Sequence, residues 1–159
     1  MQTDYYKGIQ KIYFSRIIKS IISIGSLNNT KKTILDFGCG SQQLQKSLSP
    51  KKILNYDIDN KYQKYVDYRQ LKFDVVIFNH VLMYMDKSEI EDILHNIKKI
   101  NKNCEFIFGI GKGNFINKAA AYLSLNFSDH AGAKSNYRDQ LYVLKKNTKD
   151  AVLIYLIHA

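Results

Sequence analysis

Thr33-Ile34-Leu35-Asp36-Phe37-Gly38-Cys39-Gly40-Ser41 reads as a short strand running straight into a glycine turn. Ile34, Leu35 and Phe37 favour extended backbone, and two glycines one residue apart stop the strand and allow backbone angles closed to other side chains. After the turn, Gln42 to Ser49 predicts a helix, ended at Ser49-Pro50 because the residue before proline avoids helical geometry. Before the strand, residues 6 to 24 place Ile9, Ile12, Ile17 and Ile21 at helical spacing with Lys7, Lys11 and Lys19 between them, which predicts an amphipathic helix.

The same alternation continues downstream. Ile53-Leu54-Asn55-Tyr56 predicts a second strand, Tyr62 to Tyr68 a third, and the apolar run Phe73-Asp74-Val75-Val76-Ile77-Phe78 a fourth that is central and buried. Ser88 to Ile100 predicts a helix with Ile90, Ile93, Leu94 and Ile97 on one face and a capping box from Ser88 to Glu91. Phe106 to Ile110 predicts a strand, Phe115 to Leu125 and Tyr137 to Lys146 helices, and Ala151 to Ile157 a last strand. Strands alternating with helices predict an α/β fold: a single-domain, doubly wound, mostly parallel sheet.

With 159 residues, 45% of them apolar, the chain has enough material for one core and not for two. No apolar run reaches the length of a membrane span, and Met1-Gln2-Thr3-Asp4 does not open like a secretory signal, so the expected location is cytoplasmic. Cys39 and Cys104 are too few for a disulfide framework and lack partners at zinc-like spacing; both are expected as free thiols, and no metal is expected. The net charge of +10 raises the question of nucleic acid, but only Arg16, Arg69 and Arg138 are arginine, and lysines scattered through every segment read as a solvated surface.

Ligands of open α/β sheets bind beyond the carboxyl ends of the strands, where the strand order reverses. The turn at 36–41 falls there, and Gly38 and Gly40 let a ligand approach the main chain. Asp57, seventeen positions after Gly40, ends the next strand, where a carboxylate can accept both hydroxyls of a ribose.

On these residues the chain resembles the class I (Rossmann-like) S-adenosylmethionine-dependent methyltransferases, over about residues 30–111. The resemblance implies S-adenosyl-L-methionine as cofactor, with Asp36, Phe37, Gly38, Cys39 and Gly40 wrapping its methionine part. It implies Asp57 with Ile58 at the ribose, Asp67 on the exocyclic amine of adenine with Tyr68 as a stacking candidate, and Asn79, in Phe78-Asn79-His80-Val81-Leu82, facing the methionine end. The chain departs from the family in having Gln42 where a third glycine often stands, and in a C-terminal hairpin that looks reduced. Residues 1–28 then form an N-terminal helix that is either a lid or a cover, 30–111 the cofactor-binding core, and 112–159 the substrate side with the last strand.

Methyl transfer to a hydroxyl requires loss of its proton, and histidine suits that step near neutral pH. His80, just past the fourth strand, and His130, in Ser128-Asp129-His130-Ala131-Gly132, are the candidate bases. Each has a plainer reading, His80 as a packed residue and His130 as an exposed loop residue. Tyr84 is expected in an apolar role and Cys39 as a small buried residue. Gly111-Lys112-Gly113-Asn114 lacks the ending of a phosphate loop and reads as a turn. The expected activity is methyl transfer to a small-molecule acceptor, such as a hydroxyl of a sugar or lipid-linked metabolite, because Asn79-His80-Val81-Leu82 lacks the Asn/Asp-Pro-Pro-aromatic motif of base and glutamine methylases. The alternatives are an RNA acceptor, a non-catalytic cofactor-binding module and, more remotely, a nicotinamide-dependent dehydrogenase.

Overall fold

The computed structural model describes residues 9–48, 53–59, 61–62, 67–110 and 133–148. Their elements are α1 (Ile9–Ile24), β1 (Ile34–Phe37), α2 (Gln43–Ser47), β2 (Ile53–Tyr56), β3 (Val75–Asn79), α3 (Lys87–Ile100), β4 (Glu105–Gly109) and α4 (Tyr137–Asn147). The strands form a parallel sheet in the order β2-β1-β3-β4. Consecutive β1 and β2 go one way and β3 and β4 the other, so the chain reverses direction across the sheet at β1.

Strand side chains alternate between faces, and each face builds its own core. Ile34, Ile53, Val75, Ile77 and Ile107 point to one side, where Ile17, Ile18, Ile21 and Ile22 of α1 and Leu44 of α2 bury them. Leu35, Leu54, Val76, Phe78, Phe106 and Phe108 point to the other, against Ile90, Leu94 and Ile97 of α3 and Val143 and Leu144 of α4. The sheet is therefore covered on both faces, as the unbroken apolar strands require. Through Ile17, Ile18, Ile21 and Ile22, α1 covers this face, while Ile12 and Ile24 are exposed.

One sequence expectation is corrected, and another is described only at its ends. Of the third strand expected at Tyr62 to Tyr68, the described ends are turns: Tyr62 N–H closes a turn on Asp59 O at 2.9 Å, and Tyr68–Gln70 is a 3-10 turn capped by Asp67. Asp67 competes for the local backbone, its carboxylate accepting from Arg69 N, and that favours a turn over a strand. Residues 63–66 lie outside the described residues. The capping box of α3 is Asp86 with Glu89, not Ser88 with Glu91: Asp86 accepts from Glu89 N at 2.9 Å, and Glu89 Oε2 accepts from Asp86 N at 2.8 Å. Ser88 instead donates its hydroxyl to Asp86 at 2.7 Å, so the box sits two residues earlier than its serine suggests.

The expected helix at 115–125, the turn at 111–114, His130 and the strand at 151–157 lie outside the described residues.

Candidate active site at the carboxyl ends of the strands

The turn after β1 folds over the end of β2. Gly38 N–H and Cys39 N–H both donate to Tyr56 O, at 2.8 and 3.1 Å, and Gly40 N–H donates to Asp57 Oδ2 at 2.8 Å. The other carboxylate oxygen of Asp57 accepts from Asp59 N at 3.0 Å. Each carboxylate oxygen keeps a further lone pair, so Asp57 joins the turn and β2 while retaining acceptor capacity. Ile58, beside it, is 89% exposed, an apolar side chain left open to solvent.

The two glycines are needed for different reasons. Both lie in the left-handed region, at φ 77° and 45°. A Cβ on Gly38 would sit 2.4 Å from Val81 Cγ2, so Gly38 is fixed by close packing against the loop after β3. A Cβ on Gly40 would meet no atom of the described residues beyond its chain neighbours within 4 Å, so the turn is open to a visiting molecule there. Gln42 follows at φ 59° as the N-cap residue of α2, without a side-chain cap. The position where relatives often carry glycine has glycine's backbone angle, and this chain holds a glutamine in it under strain. Gln42→Gly is expected to stabilise the fold by about 0.5–1 kcal/mol, the left-handed penalty less glycine's extra unfolded-state entropy. A thermal melt should rise by a few degrees; an unchanged or lower midpoint would count against the strain.

Asp36 is almost wholly buried on the α1 side of the sheet. Burial, followed by the charge of Asp57, pushes its carboxyl from the usual 3.8 up to about 7. It does not cap α2. Its register neighbour on β2 is Asn55, also buried, whose Oδ1 has no hydrogen-bond partner among the described residues; Asn79 Oδ1, at the end of β3, is likewise buried without one among them. Cys39 is buried with its thiol toward Tyr62 O at 3.8 Å. Burial, then the charges of Asp36 and Asp57, pushes it up to about 12, so it stays a thiol rather than a nucleophile. Cys39 and Cys104 are both free.

The remaining predicted residues divide between surface and core. Asp67 is engaged by Arg69, whose Nε donates to both carboxylate oxygens at 2.9 and 3.0 Å; that hydrogen bond holds the Asp67 carboxyl below its usual range. Tyr68 is buried, its ring meeting Phe37 at 5.1 Å and Tyr56 at 5.2 Å in edge-type contacts. Phe37 lies in the same cluster, 4.9 Å from Phe78. His80 stands at the end of β3 at φ 56°, its N–H donating to Gly109 O at 2.8 Å and its ring edge-on to Phe14 of α1 at 6.0 Å. Tyr84 is 42% exposed, against the apolar role expected of it.

Residues 133–136 brace the loop that carries His80 to Tyr84. Ser135 Oγ donates to Leu82 O at 2.9 Å and Lys134 N–H to Met83 O at 2.8 Å. Sequence reasoning missed Ser135 and Asn55. For Asn55 a signal existed, a polar residue poorly suited to strands inside an otherwise apolar one, two positions before Asp57; for Ser135 there was none.

Residues 9–106 match the family described as Methyltransferase domain. The chain belongs to this family. It is a class I S-adenosylmethionine-dependent methyltransferase, an enzyme that takes its methyl group from that cofactor, which sets aside the dehydrogenase and non-catalytic readings. Among solved structures, the chain is similar in fold to magnesium protoporphyrin IX methyltransferase from Synechocystis PCC 6803 with bound S-adenosylhomocysteine. The TM-score is 0.50 at 15% identity, covering 91% of this chain and 78% of that one. No curated protein matches the sequence. Among the described residues of this methyltransferase, no group of His, Cys, Asp and Glu is placed to hold a metal ion, and no helix is long and apolar enough to cross a membrane.

Proposed function

We propose that this methyltransferase binds S-adenosylmethionine across the Gly38–Gly40 turn and Asp57 and methylates a hydroxyl of a small molecule, with His80 as the base. The observation that carries the reading is the bond from Gly40 N to Asp57 Oδ2, which joins the turn to the acid at the point where a Cβ on Gly40 would find open space. There the free lone pairs of Asp57 suit ribose hydroxyls, and exposed Ile58 offers an apolar surface to a purine face. Tyr68, buried in the ring cluster beside Asp67, is the other stacking candidate. Asp67 keeps acceptor capacity for the adenine amine beside its Arg69 contact. Asn79 Oδ1, buried and unpartnered, suits a donor such as the methionine ammonium, and Asp36 and Cys39 shape the turn from beneath.

When bound, the cofactor supplies an activated methyl group on a sulfonium. The chain's own residues must hold the acceptor in line and take its proton. His80 suits the proton transfer, because it is half-buried at the carboxyl end of β3, next to Asn79, and the brace from Ser135 steadies the loop behind it. The acceptor class, a sugar or lipid-linked hydroxyl, rests on the lack of an Asn/Asp-Pro-Pro-aromatic motif at residues 79–82, and His130 is the other candidate base.

His80→Asn tests the assignment, since asparagine tolerates the left-handed backbone but is no base. Turnover on a hydroxyl acceptor found by screening should fall about 100-fold or more, while S-adenosylhomocysteine affinity stays within about threefold. Undiminished turnover would remove His80 from the role. Asp57→Ala should act on the other quantity, weakening S-adenosylhomocysteine about 10- to 100-fold, the worth of hydrogen bonds to a charged group. Wild-type affinity in that variant, measured by titration calorimetry, would sink the ribose assignment.

A further inference from the structure

The sequence scatters its lysines, and the fold gathers them. In a parallel sheet with crossover helices, the residues before each strand and the last turn of each helix come back to the same end. At this amino end stand Lys31 and Lys32 before β1, Lys72 before β3 and Lys102 before β4, all exposed. Lys98 and Lys99 lie in the last turn of α3, and Lys145 and Lys146 in that of α4. These positions form one surface. Lys31, Lys32, Asp74, Asn101, Asn103 and Glu105 line a single depression of about 430 Å³, and Lys98 Nζ donates to Asn147 O, tying the ends of α3 and α4 together.

Few carboxylates offset this charge. Glu105 pairs with Lys32, Asp74 accepts from Thr33 N at 2.8 Å, and Glu91 reaches from α3 to Lys146 at 3.0 Å. Asp36, Asp57, Asp59, Asp67 and Asp86 all belong to the opposite, carboxyl end. Among the described residues the amino end is thus rich in unpaired lysine, whereas the carboxyl end mixes these carboxylates with Lys61, Arg69, Lys87 and Lys134.

We propose that the amino pole docks on an anionic lipid bilayer. Its cations are all lysines, compact point charges that need no directional partner. The three arginines lie elsewhere, Arg16 in α1, Arg69 on Asp67 and Arg138 in the first turn of α4. A nucleic-acid surface draws on arginine forks and exposed aromatic faces, and among the described residues the exposed tyrosines are Tyr84, on the loop after β3, and Tyr142, whose ring lies 6.0 Å from Lys87 Nζ. A plane of negative headgroups asks only for charge spread over a broad end face. Docking in this way leaves the turn at 38–40 facing the water. The inference rests on charge placement and is independent of the acceptor and of His80.

The full chain is sedimented with vesicles of phosphatidylcholine containing about one-third phosphatidylserine, and with phosphatidylcholine alone, in about 0.1 M salt. It should bind the first and not the second. Lys31→Gln, Lys72→Gln, Lys99→Gln and Lys102→Gln remove lysines that form no ion pair among the described residues, so melting should not change. Each alone should weaken binding about fivefold, and combined they should abolish it. The pair Lys87→Gln and Lys134→Gln, at the other pole, should shift binding less than about twofold. Absent vesicle binding, equal binding to neutral vesicles, or equal weakening by the control pair would overturn the proposal. So would tighter capture of single-stranded RNA that the same four substitutions abolish, which would give the surface to nucleic acid.

Discussion

Gly38→Ala is expected to cost about 2–5 kcal/mol of folding stability, the sum of a left-handed residue with a Cβ and an overpacked contact. At φ 77° the new methyl would lie 2.4 Å from Val81 Cγ2 and 2.7 Å from Val81 Cβ, too close for rotation of one side chain to relieve. Since domains of this size are held by roughly 5–15 kcal/mol, the variant should unfold at markedly lower temperature or denaturant. Val81→Ala in the same chain should recover the steric part and leave the backbone part. Gly40→Ala provides the contrast: φ 45° predicts a modest loss of about 1–2 kcal/mol, with no protein atom to strike. Its effect should appear in cofactor affinity, because the methyl would enter the space assigned to the ligand. Equal destabilisation by the two alanines, measured by denaturant melts, would refute this division of labour.

Asp36→Asn should change how stability depends on pH. The folded carboxyl titrates at about 7 against an ordinary 3.8, because burial and then Asp57 disfavour its charge. Between those values the folded chain holds a proton that the unfolded chain has released, so stability falls as pH rises from about 4 to about 7. Above about 7 both states are ionised and this dependence ends. The difference amounts to a loss on the order of 4 kcal/mol at alkaline pH. Asparagine keeps the shape without the charge, so the variant should lack this fall and exceed wild type above pH 7. A protonated Asp36 is also a donor alongside Asn55, whose buried Oδ1 lacks one, which adds to the preference for the neutral form. Parallel pH curves for the two proteins, from denaturation at several pH values, would show that Asp36 is not the titrating group.

The readable parts of the fold were those governed by local pattern. Apolar runs separated by turn residues placed β1, β2, β3 and β4 to within a residue or two, and the apolar spacing gave the buried face of α3 and, in α1, Ile17 and Ile21, whereas Ile12 of the same pattern is exposed. At the end of the 62–68 run, β propensity counts side chains and ignores Asp67, whose carboxylate organises a turn at Tyr68–Gln70. The α3 cap misled for a similar reason, since Asp86 and Ser88 are both capping residues and only geometry ranks them.

In the candidate site, the spacing of Asp36, Gly38, Gly40 and Asp57 was legible, but the separate roles of the two glycines were not. Val81 is 43 positions from Gly38, and nothing local in the sequence announces that contact. Gln42 shows the converse, since it departs from glycine in sequence and retains glycine's backbone angle in the fold. The lysine pole is the largest gap. Lys31, Lys32, Lys72, Lys98, Lys99, Lys102, Lys145 and Lys146 look dispersed along the chain because successive βα units return them to one end, a regularity visible only once the strands are parallel and side by side.

Everything proposed for the site turns on the 38–40 turn and Asp57 holding the cofactor together. Titration calorimetry of S-adenosylhomocysteine into wild type, Gly40→Ala and Asp57→Ala, each first shown to be folded, decides whether they do. Wild type should bind one-to-one, and both variants should bind at least about tenfold more weakly. A folded wild type that takes up no ligand, or variants that bind as wild type does, would contradict it.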